Sequence, residues 1–140
     1  MEEDRLLLLV EDDAAFARTL KRSFERRGYR VLHAASGEEV QALLTGQLPQ
    51  YAVMDLKLAG NASGLNCVQM LHQLNPEALI VVLTGYASIA TAVEAVKLGA
   101  CHYLAKPSNT FYIEAAFGRV EGRTDVEVSN HTTSIKTLEW

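Results

Sequence analysis

Short apolar segments alternate along the chain with segments of helical pattern. Three of the apolar segments contain unbroken apolar runs, which is typical of parallel strands covered by helices on both faces. The segment 30–34 is more polar, which favours a position at the edge of a sheet. The five predicted strands are residues 5–10, 30–34, 51–55, 78–83 and 102–105.

Capping and stop signals mark five helices that follow these strands. Asp13 is expected to cap the first helix, and Ser36 with Glu39 forms a capping box for the second. Ser88 can cap the fourth helix, and glycines end the first and the fourth. The predicted helices cover about residues 13–27, 36–46, 64–74, 88–98 and 109–117. In the fourth, apolar residues recur at helical spacing: Ile89, Ala92, Val93 and Val96.

Five strand–helix units in strict alternation predict an α/β fold with one parallel sheet and right-handed crossovers. With the polar second strand at one edge, we predict the flavodoxin-like (βα)5 topology with strand order 2-1-3-4-5. Residues 4–118 are expected to form this domain. Residues 119–140 lack an apolar period and are predicted to be a linker that leaves the domain.

Composition narrows the class of protein further. The chain has 140 residues, of which 49% are hydrophobic and 21% charged, as in one ordinary globular domain. A formal net charge of −4 argues against a nucleic-acid-binding surface. No stretch reaches the roughly 18 apolar residues of a membrane-spanning helix, so no membrane contact is expected. An acidic N-terminus and only two cysteines favour the cytoplasm.

The two cysteines do not suggest a disulfide. Cys67 is predicted to lie early on the third helix and Cys101 just before the fifth strand, at opposite ends of the domain. Both are expected to be small buried residues.

Polar residues with complementary chemistry stand at the ends of four predicted strands. Glu11 and Asp12 follow strand 1, Asp55 ends strand 3, Thr84 follows strand 4 and Lys106 follows strand 5. Because the carboxyl ends of parallel strands meet at one edge, these side chains are expected to converge. Each residue alone has an ordinary explanation as a cap, a turn or a surface residue. Their occurrence together, at the ends of strands 1, 3, 4 and 5, indicates a functional site.

Three carboxylates at close range repel one another, which raises their pKa values or requires a cation. Hard oxygen ligands around an open position favour Mg²⁺, or Mn²⁺, as the cofactor. Such an ion can neutralise the charge of an incoming phosphoryl group. Asp55 in this setting can act as a nucleophile and form an acyl phosphate, with Lys106 and Thr84 binding the phosphoryl oxygens.

The segments at these strand ends resemble the signature of two-component response regulator receiver domains. The likeness covers about residues 4–118. It is carried by Leu8-Leu9-Val10-Glu11-Asp12-Asp13, Val53-Met54-Asp55-Leu56, Val82-Leu83-Thr84-Gly85 and Tyr103-Leu104-Ala105-Lys106-Pro107.

This resemblance implies that a sensor histidine kinase phosphorylates Asp55. It implies that the metal contacts Asp12 and Asp55 directly, Glu11 through water, and the backbone carbonyl of Lys57. A protein of this kind is a signalling switch that catalyses its own phosphorylation and dephosphorylation, and is not an enzyme acting on metabolites.

The resemblance also assigns the switch. Thr84 and Lys106 would bind the phosphoryl group, and the ring of Tyr103 would turn inward when Thr84 moves. The peptide bond before Pro107 is expected to be cis. We further hypothesise that Tyr86, two residues beyond Thr84, screens the acyl phosphate from water.

Lys57 stands two residues beyond Asp55 and would flank the same water route to the acyl phosphate. Together with Tyr86 it is expected to influence the rate of dephosphorylation.

A finer likeness extends through residues 85–100 and 103–108 to redox-responsive regulators of the RegA/PrrA/ActR/RoxR type. In that group a linker leads to a Fis-like helix-turn-helix that binds DNA. The resemblance therefore implies a transcriptional output, with DNA bound only through a C-terminal domain beyond residue 140. It also implies a homodimer formed through helix 4, strand 5 and helix 5 on phosphorylation.

Two features depart from the family pattern. The loop 58–64 lacks the common proline and is one residue longer than usual. Phe111 and Tyr112 stand at the start of helix 5, where relatives usually carry acidic residues, and exposed aromatic rings there would alter the dimer surface.

Three alternative functions make different demands on the sequence. A flavodoxin-like FMN binder needs a phosphate-binding loop after strand 1, where Glu11 and Asp12 would repel phosphate. A haloacid dehalogenase phosphatase has its nucleophile on the first strand with a second Asp two residues on, whereas Lys57 stands two residues beyond Asp55. A stand-alone receiver, acting by protein contact or phosphorelay, also fits the sequence and stays open.

Overall fold

The computed structural model describes residues 5–56, 64–85, 89–106 and 108–118, without the side chain of Ile89. Strands and helices alternate throughout these ranges. The elements are β1 (Arg5–Val10), α1 (Ala14–Arg26), β2 (Tyr29–Ala34), α2 (Gly37–Leu44), β3 (Tyr51–Asp55), α3 (Gly64–Leu74), β4 (Leu79–Thr84), α4 (Ile89–Lys97), β5 (His102–Ala105) and α5 (Thr110–Ala116).

The five strands form one parallel sheet in the order β2-β1-β3-β4-β5, so the predicted topology is confirmed. β4 begins one residue later than predicted and extends through Thr84, which pairs with Ala105 of β5. β2 begins one residue earlier, at Tyr29, which pairs with Arg5. All five carboxyl ends point to the same edge of the sheet.

Buried side chains cover both faces of the sheet, as the unbroken apolar runs predicted. Alternate residues of β1 point to opposite faces. Leu7 and Leu9 join the core cluster that contains residues of α1 and α5. Leu8 and Val10 join the cluster that contains residues of α2, α3 and α4.

The predicted helix caps are present where the structure describes them. Asp13 caps α1 by accepting the N–H groups of Ala15 and Phe16, each at 3.1 Å. Ser36 Oγ accepts the N–H of Glu39 at 3.2 Å. The Glu39 carboxylate in turn accepts the N–H of Ala35 at 2.7 Å, rather than that of Ser36 as in the usual capping box.

The side of α4 that faces the core differs from the one that its valines suggested. Ala92 and Ala95 are fully buried, whereas Val93 and Val96 are 43% and 41% exposed. Small residues therefore bring this helix close to the sheet, and its valines lie on the surface. Spacing alone did not distinguish the two sides, because alanine and valine are both apolar and alternate along the helix.

Cys67 is buried as expected, and burial, with a smaller contribution from nearby Glu38, raises the pKa of its thiol to about 11. The expectation that Cys101 is buried was wrong, since its side chain is exposed. It lies in the turn before β5, where its thiol Sγ is 3.7 Å from the carbonyl oxygen of Ala116. Within the described ranges, no helix is both long and apolar enough to cross a membrane.

Gly99 allows the turn between α4 and β5, and we predict that Gly99→Ala destabilises the domain. Its φ is +131°, and an added Cβ would lie 2.4 Å from Cγ of His72. Strained backbone and overpacking each cost about 1–3 kcal/mol, so unfolding by urea should show a loss of roughly 2–6 kcal/mol. Gly46→Ala is the control, because a Cβ at Gly46 meets nothing within 4 Å. Equal stability of the two variants would contradict this account.

Candidate functional site at the carboxyl edge of the sheet

Backbone hydrogen bonds extend the sheet by one residue at the places where the site begins. The N–H of Glu11 donates to the carbonyl oxygen of Ala34 at 2.9 Å, and the N–H of Lys106 donates to that of Thr84 at 2.8 Å. Asp55 is itself the last residue of β3 and pairs with Leu83 of β4. Rigid backbone therefore positions three of the predicted site residues.

The three predicted carboxylates converge. Glu11, Asp12 and Asp55 each offer an oxygen, and these oxygens all lie within 4.8 Å of one another. Glu11 is 1% exposed and Asp55 6% exposed, while Asp12 is open to solvent. The group is thus a partly buried acidic pocket with one exposed member.

Lys106 supplies the positive charge that the sequence predicted for this pocket. Its Nζ donates to Asp55 Oδ2 and to Glu11 Oε1, each at 3.2 Å. Burial lowers the pKa of Lys106, but the carboxylates of Asp55 and Glu11 together outweigh burial and raise it above the usual value. The ammonium therefore stays charged in the pocket.

Glu11 is the most deeply buried carboxylate of the three. Desolvation by burial raises its pKa, the N–H of Asp13 lowers it by donating to Oε2 at 3.0 Å, and the nearby charge of Asp55 raises it again. The pKa of Glu11 lies above its usual value even with Lys106 beside it. A further positive charge would stabilise the ionised form of this pocket.

The two predicted switch residues lie on neighbouring strands. Thr84 is 1% exposed, and its hydroxyl donates to the carbonyl oxygen of Gly85 at 3.0 Å. Tyr103 is partly buried and packs against the core cluster on the α2, α3 and α4 side of the sheet.

Three other predicted site residues lie outside the described residues. These are Lys57, Tyr86 and Pro107. Their roles, including the cis peptide bond, stay predictions.

Among the residues that the structure describes, two that contact the site were not predicted from the sequence. Phe16 places its ring 5.2 Å from Nζ of Lys106, and only its position in the first turn of α1 could have suggested this. Gly64 was predicted only as a helix start. A Cβ there would lie 2.5 Å from Cα of Leu56 and 2.7 Å from the carbonyl oxygen of Asp55, so only glycine lets α3 begin this close to the acidic pocket.

Comparison with known proteins identifies the family. The family model described as "Response regulator receiver domain" matches residues 7–117. The chain belongs to this family. The receiver fold and the family resemblance predicted from the strand ends are both confirmed.

The most informative relatives of this receiver domain are regulatory proteins. "Photosynthetic apparatus regulatory protein RegA" of Rhodobacter capsulatus is 49% identical over 106 residues, which cover 76% of this chain and 57% of RegA. "Acid tolerance regulatory protein ActR" of Sinorhizobium medicae (strain WSM419) is 42% identical over 137 residues, covering 98% of this chain and 70% of ActR. The expected likeness to the RegA and ActR type is therefore confirmed. The chain spans 57% to 62% of the length of the RegA relatives that it matches.

One solved structure of similar sequence contains a phosphorylated aspartic acid and a calcium ion. It is a response regulator protein from Burkholderia pseudomallei with a phosphorylated aspartic acid, calcium ion and citrate. The two share 45% sequence identity with a TM-score of 0.77, over 92% of this chain and 73% of that one. Receiver domains take signals from sensor histidine kinases and bind a divalent metal in an acidic pocket.

The residues of this pocket fit such a metal. Glu11, Asp12 and Asp55 provide hard oxygen ligands at close range, and Asp12 keeps one side open to solvent. Burial is the main cause of the raised pKa of Glu11, and the charge of Asp55 adds to it, while Lys106 neutralises the negative charge in part. A divalent cation would complete this neutralisation.

We predict that Lys106→Met makes the pocket depend more strongly on a divalent cation. Without Lys106, Glu11 and Asp55 lose their shared donor, and the domain in a metal chelator should lose roughly 1–2 kcal/mol of stability. Added Mg²⁺ should then raise the thermal midpoint more in the variant than in the unmutated protein, because the pocket binds the ion more tightly.

Lys21→Met is the matched control for this experiment, since Lys21 pairs with Glu25 at 2.8 Å on the exposed side of α1. It should leave the effect of Mg²⁺ unchanged. If Mg²⁺ raised the thermal midpoint equally in Lys106→Met and in the unmutated protein, the ammonium of Lys106 would not share the carboxylates with the metal.

Proposed function

We propose that this receiver domain accepts a phosphoryl group on Asp55 from a sensor histidine kinase and switches a transcriptional output. The observation that carries the proposal is the position of Asp55. It is a buried carboxylate at a strand end, 3.2 Å from the ammonium of Lys106 and beside two further carboxylates. The phosphorylated aspartic acid in the similar Burkholderia pseudomallei protein supports the same chemistry.

In the proposed reaction an Asp55 carboxylate oxygen attacks the phosphorus atom of the phosphodonor. A new P–O bond forms, the bond between phosphorus and the donor atom breaks, and the donor leaves with the bonding electron pair. For a phosphohistidine donor, the leaving ring nitrogen then takes up a proton. The product is an acyl phosphate on Asp55, and this self-modification is the catalysis that the domain performs.

Lys106 and Thr84 are the residues proposed to bind the transferred group. The ammonium of Lys106 already contacts Asp55, so it can donate to a phosphoryl oxygen after a short movement. The hydroxyl of Thr84 donates to Gly85 in the unmodified domain and would have to rotate toward the phosphoryl group.

We assign Mg²⁺ as the physiological metal, with Mn²⁺ as a substitute. Glu11, Asp12 and Asp55 would hold it, with the backbone carbonyl of Lys57 as a further ligand. When bound, the ion neutralises the negative charge that the carboxylates and the phosphoryl group bring together. Calcium in the similar solved structure supports a divalent ion of this kind.

Phosphorylation is proposed to act as a population shift. The added charge on Asp55 makes contacts with Thr84 and Lys106 that exist in only one of two conformations. Movement of Thr84 makes room for the ring of Tyr103, which changes the surface of α4 and β5. Val93, Val96 and Tyr112 are exposed on α4 and α5 and support a dimer surface there. Sedimentation with and without phosphorylation tests this association.

The proposal of a transcriptional output is supported by the relatives of this chain. RegA and ActR are named as regulatory proteins, and they extend beyond the part that this chain matches. We therefore propose that residues 119–140 lead to a Fis-like DNA-binding domain. Phosphorylation-dependent binding of promoter DNA by a chain that includes that domain tests the proposal.

We predict that incubation with acetyl phosphate and Mg²⁺ adds one phosphate to the unmutated protein and that Asp55→Asn abolishes the addition. An amide is a far weaker nucleophile than a carboxylate, so no acyl phosphate can form. Intact mass measures the product, and loss of the phosphate in hydroxylamine identifies an acyl phosphate. Asp13→Asn is the control: Asn still caps α1, so labelling should persist. Labelling of Asp55→Asn would contradict the assignment.

The lifetime of the acyl phosphate is proposed to depend on Tyr86 and Lys57. If Tyr86 screens the bond from water, Tyr86→Ala should shorten the half-life of the phosphorylated protein about two- to tenfold. Decay of the added mass after removal of the donor measures it. An unchanged half-life would exclude a screening role for Tyr86.

A further inference from the structure

We propose that Phe16 is a positioning residue that keeps the ammonium of Lys106 in place to meet a phosphoryl group on Asp55. This inference rests on the proposed function. Its starting observation is the distance of 5.2 Å between Nζ of Lys106 and the centroid of the Phe16 ring. That distance lies within the range of about 6 Å over which an aromatic face attracts a cation.

The ring of Phe16 is itself held by local structure. Its backbone N–H donates to the side chain of Asp13, the N-cap of α1, at 3.1 Å. The side chain is partly buried and packs against the core cluster that contains residues of α1 and α5. Phe16 therefore has a backbone held by the N-cap of α1 and a side chain that packs on the core.

The contacts around Lys106 form a closed circuit. Glu11 accepts the N–H of Asp13 through Oε2 at 3.0 Å, and Asp13 caps the turn that carries Phe16. The ring lies against the ammonium of Lys106, which donates to Glu11 Oε1 at 3.2 Å. The start of α1 and the end of β5 are thus joined through one carboxylate and one ring.

These contacts restrict the position of the Lys106 ammonium. A lysine side chain is long and flexible and has many conformations, so holding its ammonium in one place requires several contacts. The carboxylates of Glu11 and Asp55 attract it on one side. An aromatic face attracts it without adding an anion that would compete with the phosphoryl group. A leucine in place of Phe16 would keep the packing but lose this attraction.

The test compares Phe16→Leu with Phe16→Tyr, which keeps an aromatic face. The initial rate of Asp55 phosphorylation by acetyl phosphate in Mg²⁺ is measured by intact mass. Phe16→Leu should slow it about three- to tenfold, and Phe16→Tyr should stay within about twofold of the unmutated protein. Phe24→Leu is the matched control on the same helix. Its ring packs against Tyr29 and Phe117 in the core, so the variant should lose stability while its folded fraction reacts at the normal rate.

A second readout does not depend on phosphorylation. The Lys106 methylene protons next to Nζ, which lies 5.2 Å from the centroid of the Phe16 ring, should show an upfield ring-current shift in the NMR spectrum. The shift should persist in Phe16→Tyr and disappear in Phe16→Leu, while Phe24→Leu leaves it unchanged.

Each outcome bears on the proposal. Normal phosphorylation in Phe16→Leu, or equal slowing by Leu and Tyr, overturns the positioning role. Absence of the ring-current shift overturns the contact itself. If the ring-current shift follows the aromatic ring but Asp55 takes no phosphate, the proposed function is overturned. The role of Phe16 in phosphorylation is then overturned with it, but the contact between Phe16 and Lys106 is confirmed.

Discussion

Two buried carboxylates share one ammonium at the carboxyl edge of this sheet, and the remaining features of the site depend on that arrangement. Glu11 and Asp55 are buried and would repel each other, while exposed Asp12 keeps one side of the pocket open to solvent. Lys106 compensates part of this charge at 3.2 Å from each. Asp12 adds a third carboxylate, so the pocket has more negative charge than the single ammonium of Lys106 can neutralise. A pocket in this electrostatic state is suited to a divalent cation and to an incoming phosphoryl group.

The fold makes this close approach of like charges possible. Three strands bring the charged residues to one edge, and the apolar residues of two of them, β1 and β3, are buried on both faces of the sheet. Burial of this much apolar surface offsets the cost of gathering carboxylates, since each buried side chain contributes about 1.5–3 kcal/mol. At the opposite end of α1, Arg27 and Tyr29 both donate to Glu114 of α5, at 2.6 and 3.0 Å. This contact ties α5 to α1 and supports the face of the sheet on which Phe16 packs.

Much of the architecture followed from local signals. Unbroken apolar runs predicted three buried strands, and Asp13, Ser36 and Asn109 lie within one residue of the predicted helix starts. Strict alternation then left few topologies, because parallel crossovers are right-handed. The β4 boundary differed by one residue, since pairing with β5 decides where that strand ends.

The sequence by itself determined which charged residues gather at the site. These residues follow the carboxyl ends of the predicted strands, and the carboxyl ends of parallel strands lie at one edge of the sheet. Tertiary packing decided which side chains are exposed and which distant residues meet, and the periodicity of the sequence does not contain this information. It exposed Val93 and Cys101, and it brought Phe16 under the ammonium of Lys106. These outcomes depend on how closely each helix approaches the sheet and on how side chains from distant segments meet. Such distances arise only when the whole domain is assembled.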